Sequence, residues 1–201
     1  MLFLSWVISY LIGSISFSYL IAKKIAGIDI RAHGSGNAGA TNTLRVLGKG
    51  PAVVVLVLDA LKGLAAMGIT NLLTNGDPTA YAMSGLFAIV GHNWPVYYGF
   101  RGGKGIATTL GVALGFSPLA FLISVIVTVV VIALTRYVSL GSLVFVTLLP
   151  VCLYFLAKDM AFVWVSIALA VFAYVRHYNN IQNLLAGRER KLGEPSQRNL
   201  Q

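Results

Sequence analysis

The longest apolar run of this chain is "IATTLGVALGFSPLAFLISVIVTVVVIAL", residues 106 to 134, and it contains no charged residue. A helix crosses the hydrocarbon core of a bilayer with about 20 residues, so this run is too long for one span. Gly115 and Pro118, in the "GFSP" segment at 115 to 118, favour a break inside it. We therefore predict a short helix over 106 to 115, shielded by neighbouring helices, and a full-length helix after the break.

The rest of the chain has the composition of a membrane protein. Only 10% of its 201 residues are charged, against about 25% in a soluble domain, and the mean hydropathy is +0.81. A soluble fold would have to bury every apolar run in one small core, which the ratio of core to surface does not allow. We predict an all-α integral membrane protein with seven transmembrane helices, the fourth of them short, in a single membrane-embedded domain over residues 1–201. The other apolar runs cover residues 2–22, 51–73, 80–98, 138–157 and 160–174.

The distribution of positive charge predicts the orientation. The first run is followed by Lys23 and Lys24 and lacks the basic start and cleavage site of a signal peptide, so we interpret it as a retained span with the N-terminus outside. Seven spans then place the C-terminus and its basic tail, "GRERKLGEPSQR" at 187–198, in the cytoplasm. The net charge of +9 follows from this topology and from attraction to anionic lipid heads. No nucleic-acid-binding motif accompanies it, and we expect no nucleic-acid partner.

Three polar segments lie at the predicted cytoplasmic ends of spans, over residues 33–50, 91–109 and 174–189. The first contains a literal G-x-G-x-x-G over 34–39, but no βαβ unit surrounds it, and "RGGKG" at 101–105 lacks the Ser or Thr of a P-loop. We therefore expect no nucleotide cofactor. Glycines still let backbone N–H groups approach an anion, and a glycine-rich loop before a helix adds the positive end of the helix dipole. The three segments together predict a phosphate site.

Two cations and several neutral donors in these segments suit phosphate. Arg45 offers a planar fork for two phosphate oxygens, and Lys104 offers a point charge directly before the short fourth helix. A Ser, Thr or Asn in such a loop serves equally well as a turn or cap residue, so that alternative stays open for each one. Besides the two cations, the candidate phosphate-binding residues are Gly34, Gly36, Asn37, Gly39, Thr41, Asn42, Arg101, Gly102, Gly103, Gly105 and Thr108.

The histidines and acidic residues add further hypotheses. His177 and Asn180 share a helix face at a spacing of three, where His177 is either an interfacial anchor or a base or donor at the phosphate site. We interpret His92 as a residue that positions the following loop. Asp59 and Lys62 lie three apart inside an apolar run and are predicted to neutralise each other. The six scattered acidic residues provide no carboxylate cluster for Mg²⁺, so we expect no metal.

Three motifs, in order, resemble those of a known family. The segments "GSGNAGATNTLR" (34–45), "GHNWPVYYGFRGGKGIAT" (91–108) and "RHYNNI" with "LLAGRE" (176–189) are closely similar to the motifs of the acyl-phosphate-dependent glycerol-3-phosphate acyltransferases, the PlsY family. Asn183 and Arg188 depart from the residues common in the third motif. The catalytic residues that this resemblance implies are Ser35, Arg45, Lys104, His177 and Asn180, with His92 and Glu189 as positioning residues.

The reaction that the resemblance implies transfers a fatty acyl group from acyl phosphate to the 1-position hydroxyl of glycerol 3-phosphate, giving lysophosphatidate and inorganic phosphate. It is the first acylation step of bacterial phospholipid synthesis, on the cytoplasmic side of the inner membrane, with membrane lipid around the enzyme. No cofactor, acyl carrier protein or coenzyme A is expected to take part directly. Acyltransferases that use those carriers have an H-x-x-x-x-D motif, which none of the three histidines begins.

Two other function classes and two mechanistic questions stay open in the sequence. A carrier or channel for phosphate-bearing solutes would share a basic, glycine-lined cavity but should show repeated halves. A Mg²⁺-dependent lipid phosphotransferase would need clustered carboxylates. The hydroxyl proton goes either to His177 or to an oxygen of the donor phosphate. Since acyl phosphate is already activated, we expect direct transfer, with Ser35 binding phosphate rather than acting as a nucleophile.

Overall fold

The structure is a computed structural model that describes residues 1–157 and 159–194. Within these ranges the regular secondary structure is helical, with no strand. Two short 3-10 turns, Ile30–Ala32 and Val96–Tyr98, lie in the connections. The α-helices are α1 (Leu2–Gly13), α2 (Phe17–Ala26), α3 (Ala40–Leu47), α4 (Lys49–Leu73), α5 (Pro78–Asn93), α6 (Ile106–Phe116), α7 (Pro118–Thr135), α8 (Val138–Leu156), α9 (Met160–Arg176) and α10 (Tyr178–Leu185).

Four stretches of the described chain are long and apolar enough to cross a membrane. They are α1 and α2 taken together over 25 residues, α4, α7 and α8. The pair formed by α9 and α10, bent by 63°, makes a fifth if it counts as one span. Helices α5 and α6, with 16 and 11 residues, are shorter. The predicted all-helical architecture is confirmed, whereas the count of seven spans and the orientation stay predictions.

The predicted break at "GFSP" is confirmed. Helix α6 ends at Phe116 and α7 begins at Pro118, with Ser117 between them in an extended conformation (φ −160°, ψ 110°). The Ser117 hydroxyl accepts a hydrogen bond from the Ala120 N–H, as an N-cap residue does. Proline is tolerated at the first position of α7 because no intrahelical donor is needed there. The short α6 contacts α4, α5, α7, α8 and α9, which gives it the predicted shielding.

Small residues bring α6 close to α4. A Cβ added at Gly111 of α6 would collide with the Ala60 carbonyl of α4, and one added at Gly63 of α4 would press on Thr108 of α6. Glycine at these positions lets the two backbones approach, as in other packed membrane helices. This packing fixes the fully buried Thr108 in the contact between the two helices.

Two predicted spans are interrupted earlier than expected. The run over 2–22 is divided between α1 and α2, because Ser16 adopts an extended conformation (φ −96°, ψ 93°). In the run over 80–98, helix α5 ends at Asn93. Pro95 disfavours the α-helical conformation of the residue before it, Trp94. The second break begins the loop that carries the glycine-rich motif.

An apolar core between α4, α5, α6, α8 and α9 supports the polar segments. Phe116 of α6 stacks on Phe162 of α9 with ring centroids 4.7 Å apart. Phe145 of α8 is fully buried and belongs both to this core and to the wall of a cavity beside the polar segments. The packed helices therefore form one side of this cavity.

Candidate active site

A cavity of about 620 Å³ opens where the three polar segments meet. The loop before α3, helix α3, the loop before α6 and the region of α10 all contribute to its wall. The predicted convergence of the three segments is therefore confirmed. The five residues that the resemblance implies are catalytic all line this cavity, together with Glu189: they are Ser35, Arg45, Lys104, His177 and Asn180.

The structure divides the predicted phosphate-binding residues into two groups. Thr108 lies in the contact between α4 and α6 instead of the cavity wall, because the rotation of α6 turns that position towards Gly63. The exposed Arg101 also lies off the wall. The predicted residues that line the cavity are Asn37, Gly39, Thr41, Asn42 and Gly105, and those that do not are Gly34, Gly36, Arg101, Gly102, Gly103 and Thr108.

Asn42 shapes the first loop with its side-chain amide. Its Oδ1 accepts a hydrogen bond from the Ser35 N–H at 2.7 Å. Its Nδ2 donates to the carbonyl oxygens of Ile30 at 3.1 Å and His33 at 3.0 Å. Gly34, with φ +62°, lies directly against this amide and leaves no room for a Cβ. The Asn42 side chain is therefore occupied by the loop, and it places the exposed Ser35 at the cavity.

Arg45 lies in the last turn of α3 and lines the cavity. Burial and the neighbouring Arg190 lower the pKa of Arg45 from its usual 12.5, while Glu189 acts in the opposite direction. Within the described residues, neither Arg45 nor Lys104 forms an ion pair with a carboxylate. Their positive charge is therefore left for an anionic ligand.

The loop over 99–105 carries the glycine-rich part of the second motif. Gly105 caps α6 with φ +85°, a left-handed conformation that favours glycine. A Cβ at Gly102 would collide with the His92 carbonyl oxygen, and a Cβ at Gly103 would collide with the His92 imidazole. Backbone packing thus requires glycine at 102 and 103, and of the three glycines Gly105 alone lines the cavity.

Arg176 holds this loop from the side of α9. Its Nε donates to the Gly103 carbonyl oxygen at 3.0 Å, and its Nη2 donates to the carbonyl oxygens of Gly102 at 3.1 Å and Gly103 at 2.7 Å. The guanidinium also lies 5.7 Å from the centroid of the Trp94 ring, a cation–π contact. Arg176 was not among the predicted site residues. The sequence signal that marks it is its place directly before His177 in the third motif.

A chain of hydrogen bonds connects Lys104 to a buried carboxylate. Lys104 Nζ donates to Asn180 Oδ1, and Asn180 Nδ2 donates to Glu189 Oε1 at 2.7 Å. Ser139 Oγ donates to the same carboxylate oxygen at 2.7 Å. The carboxylate accepts from the amide nitrogen, so the amide oxygen is turned towards Lys104. Through the Asn180 amide, Glu189 can thus position Lys104, in line with the positioning role predicted for it. Sequence reasoning missed Ser139, because it begins an apolar helix far from the three motifs.

The environment of Lys104 affects its charge. Burial lowers the pKa of Lys104 from 10.5 to about 8, an effect that Glu189 opposes and that Arg45 and Arg176 reinforce. Lys104 is therefore charged at neutral pH and loses its proton as the pH rises through about 8. An anionic ligand favours the charged form and raises the pKa again.

His177 lies at the bend between α9 and α10, and its side chain is buried. Its Nδ1 is 2.8 Å from the Ala173 carbonyl oxygen. A carbonyl only accepts hydrogen bonds, so Nδ1 carries a proton in this contact, and in the neutral ring Nε2 is then the acceptor. His177 therefore offers a lone pair to a proton or, in the protonated form, a second donor to phosphate.

Much of the rest of the cavity wall is apolar, although Lys49, Asp59, His92, Thr128, Ser139 and Ser142 also line it. Helix α4 contributes Leu56, α6 contributes Leu110, and α7 contributes Val125, Val129 and Ile132. Such side chains favour contact with hydrocarbon over contact with water. The cavity thus joins the cations Arg45, Lys49 and Lys104 to an apolar surface, an arrangement that suits an amphiphile with an anionic head. Within residues 1–157 and 159–194, the His, Cys, Asp and Glu side chains form no group of three or more that could hold a metal ion.

Known proteins resemble this chain over nearly its whole length. The glycerol-3-phosphate acyltransferase of Halalkalibacterium halodurans is 54% identical over 198 residues, which cover 94% of this chain and 96% of that protein. The protein of the same name from Clostridioides difficile is 43% identical over 192 residues, with 94% of each chain covered.

Solved structures agree in fold. A crystal structure of PlsY (YgiH), described as an integral membrane glycerol 3-phosphate acyltransferase in its glycerol 3-phosphate form, matches with a TM-score of 0.90, 38% identity and 96% of both chains covered. The lysophosphatidic acid form matches with a TM-score of 0.86 and 36% identity, over 96% of this chain and 95% of that one. A family model described as glycerol-3-phosphate acyltransferase matches residues 3–187. This integral membrane protein therefore belongs to the glycerol-3-phosphate acyltransferase family.

Proposed function

We propose that this protein transfers a fatty acyl group from acyl phosphate to the 1-position hydroxyl of glycerol 3-phosphate, giving 1-acyl-glycerol 3-phosphate and inorganic phosphate. The observation that carries the proposal is the cavity that joins Arg45 and Lys104 to the apolar wall of α4, α6 and α7. Acyl phosphate has an anionic head and a hydrocarbon tail, which match the two parts of the wall. Glycerol 3-phosphate brings a second phosphate to the same polar end.

The positive charges of Arg45 and Lys104 favour an acyl donor that carries phosphate. Arg45 and Lys104 lack carboxylate partners within the described residues, and a neutral amide, that of Asn180, accepts from Lys104. The positive charge is held in place without being cancelled. Charge-assisted hydrogen bonds to phosphate are among the strongest in proteins, particularly where burial reduces the competition from water. Acyl carrier protein and coenzyme A are then not needed as direct donors.

The proposed step is a direct acyl transfer. The 1-position oxygen of glycerol 3-phosphate attacks the acyl carbonyl carbon, a new C–O ester bond forms, and the bond from that carbon to the phosphate oxygen breaks. Phosphate leaves with the electron pair, and Arg45, Lys104 and Ser35 stabilise its charge. The hydroxyl proton goes to His177 Nε2 or to an oxygen of the departing phosphate. Holding the two substrates side by side supplies much of the rate.

We also propose how the chain lies in its membrane. The three polar segments meet at one cavity, so they belong to one face of the protein, and their cations identify that face as cytoplasmic under the positive-inside rule. Seven helical segments, with α6 as the short fourth one, then put the N-terminus outside a bacterial inner membrane. The chain would act as a single domain, with its active site on the cytoplasmic side. The end of the basic tail, residues 195–198, lies outside the described residues.

An assay of the purified protein tests the proposed reaction. Protein in lipid bilayers is given radiolabelled acyl phosphate and glycerol 3-phosphate, and labelled lysophosphatidate and inorganic phosphate are both measured. We expect the two products in equal amounts, with no lysophosphatidate when either substrate is omitted. Replacing acyl phosphate by acyl coenzyme A or by acylated carrier protein should give no product. Turnover with a thioester donor but not with acyl phosphate would contradict the proposal, and phosphate movement across the bilayer without product would favour a carrier.

A further inference from the structure

Three ionisable side chains are buried where α4 meets the end of α5, and two of them, Asp59 and His92, also line the cavity. Asp59 and Lys62 of α4 form an ion pair of 2.8 Å, with side chains 1% and 2% exposed. His92, at the end of α5, lies beside both of them, with its Nδ1 2.9 Å from Lys62 Nζ and 3.6 Å from Asp59 Oδ1. We name these residues the Asp59–Lys62–His92 cluster. The predicted neutralisation of Asp59 and Lys62 is confirmed, but it leaves His92 unexplained.

The cluster ties three helical regions together through one ammonium group. Lys62 Nζ also donates to the Ile15 carbonyl oxygen at 2.7 Å. Ile15 lies in the break between α1 and α2, where a carbonyl lacks its helical partner. Lys62 therefore links α4 to the α1–α2 break and to the end of α5. Charged groups inside a membrane protein are costly to bury, which makes a functional role the default hypothesis.

His92 connects this cluster to the loop that carries Lys104. The His92 carbonyl oxygen accepts from the Gly103 N–H at 3.1 Å. The His92 imidazole lies so close to Gly103 that a Cβ there would collide with its Nε2. Gly103 immediately precedes Lys104, so the position of His92 determines where the Lys104 backbone can lie. Arg176 binds the other side of the same peptide, at the Gly103 carbonyl oxygen.

We propose that the Asp59–Lys62–His92 cluster is a positioning device for Lys104. Asp59 holds the Lys62 ammonium, Lys62 holds the His92 imidazole, and His92 holds Gly103 and with it the adjacent residue. The inference rests on the proposed role of Lys104 in binding substrate phosphate. A buried ion pair with a purely structural role is often replaceable by apolar side chains of similar size with little loss of stability. A positioning device is not, because the imidazole then loses its partner even when the helices still pack.

The test replaces the ion pair by apolar isosteres in Asp59→Leu/Lys62→Met and combines this change with Lys104→Ala. The four proteins are wild type, each change alone and the two together, and kcat/KM with acyl phosphate and thermal unfolding are measured for each. We expect the ion-pair change to lower kcat/KM by about tenfold or more in the wild type but by less than about threefold in Lys104→Ala, because the two changes affect one unit. Where Lys104→Ala turns over too slowly, calorimetric titration of glycerol 3-phosphate binding gives the same comparison.

A matched control comes from the C-terminal part of the same helix, α4. Ser9 of α1 and Thr70 of α4 are fully buried, with hydroxyl oxygens 3.4 Å apart. The change Ser9→Ala/Thr70→Val removes a polar contact between α1 and α4 without touching the loop. We expect it to leave kcat/KM within about twofold of wild type, since distant sites behave independently.

Specific outcomes would overturn the inference. Equal losses from the ion-pair change in the wild type and in Lys104→Ala would show a general structural effect, and unchanged activity would show no role. If Asp59→Leu/Lys62→Met fails to fold, Gly103→Ala displaces the loop from His92 and from the Ala38 carbonyl oxygen, and its loss of activity must likewise shrink in Lys104→Ala. A wild-type protein that does not use acyl phosphate contradicts the proposed function instead, and the comparison by glycerol 3-phosphate binding still tests the cluster.

Discussion

The Lys104 ammonium donates a hydrogen bond to the side-chain oxygen of Asn180, 76 positions away in the chain. This contact joins the second and third polar segments at the cavity. The acceptor is neutral, so it fixes the ammonium without cancelling its charge. The nitrogen of the same Asn180 amide donates to the Glu189 carboxylate. Glu189 therefore acts on Lys104 only through Asn180.

Removing the positive charge of Arg45 or Lys104 should weaken phosphate recognition. A hydrogen bond to a charged group contributes about 1.5 to 3 kcal/mol, so Lys104→Ala and Arg45→Ala should each lower kcat/KM by at least about tenfold. Lys104→Arg should also fail, since a planar fork does not fit the contact with Asn180. Steady-state kinetics with acyl phosphate measure this, with the exposed Lys24→Ala as the control for charge alone. Near-normal kinetics for Lys104→Ala would refute the assignment.

The activity should fall at alkaline pH. The pKa of Lys104 is lowered to about 8, so its charge is present below that pH and is lost as the pH rises through it. Because the proposed role needs the charged form, kcat/KM of the wild type should decline above about pH 8. Whatever activity Lys104→Arg retains should show no decline in that range, since arginine stays charged. A pH profile in which both proteins decline alike would assign the alkaline limb to another group.

The carboxylate of Glu189 should matter more than the hydroxyl that also contacts it. Glu189→Ala leaves the Asn180 amide free to rotate, so we expect kcat/KM to fall by about tenfold, the order of a lost charge-assisted hydrogen bond. Ser139→Ala removes one donor but keeps the contact between Glu189 and Asn180, so its effect should be smaller. Kinetics of the two variants, with thermal unfolding as the check on folding, compare them. A larger loss for Ser139→Ala would reverse the proposed order.

No acyl-enzyme should accumulate. Acyl phosphate is a mixed anhydride with a good leaving group. Ser35 lies between Gly34 and Gly36 in a loop whose backbone is held by Asn42, a setting that suits donation to phosphate. Incubation with radiolabelled acyl phosphate alone, followed by denaturation, should leave no stoichiometric label on the protein. Ser35→Cys should likewise trap no thioester. A stable adduct at residue 35 would replace direct transfer by a covalent mechanism and leave the substrates unchanged.

The first turn of α5 and the segment after α10 should lie on opposite sides of the membrane. Ser117 in "GFSP" is too buried for labelling, whereas Thr79 and Arg188 are exposed. Single cysteines at Thr79→Cys and Arg188→Cys, in a Cys152→Ser background, should react with an impermeant reagent from the outer and the cytoplasmic side respectively. Labelling of both positions from one side would rule out the seven-span orientation.

The sequence alone predicted the features that depend on short stretches of chain. Uncharged runs of sufficient length specify membrane helices, because unpaired backbone groups are too costly in lipid. The break at 115–118 follows from Gly115 and Pro118, which disfavour a continuous helix there. The motifs around Ser35, Lys104 and His177 indicated the family and a phosphate site, because residue types and their spacing are enough to recognise such motifs.

The tertiary structure decided which side chains face the cavity. Whether Thr108 meets a ligand or another helix depends on the rotation of α6, which is set by contacts with Ala60 and Gly63 of α4. Arg176 and Ser139 acquire their roles only when α8, α9 and the loops are packed together. Local sequence fixes the conformation of a helix or a turn, but the direction of a side chain relative to a distant partner follows from packing across the whole molecule.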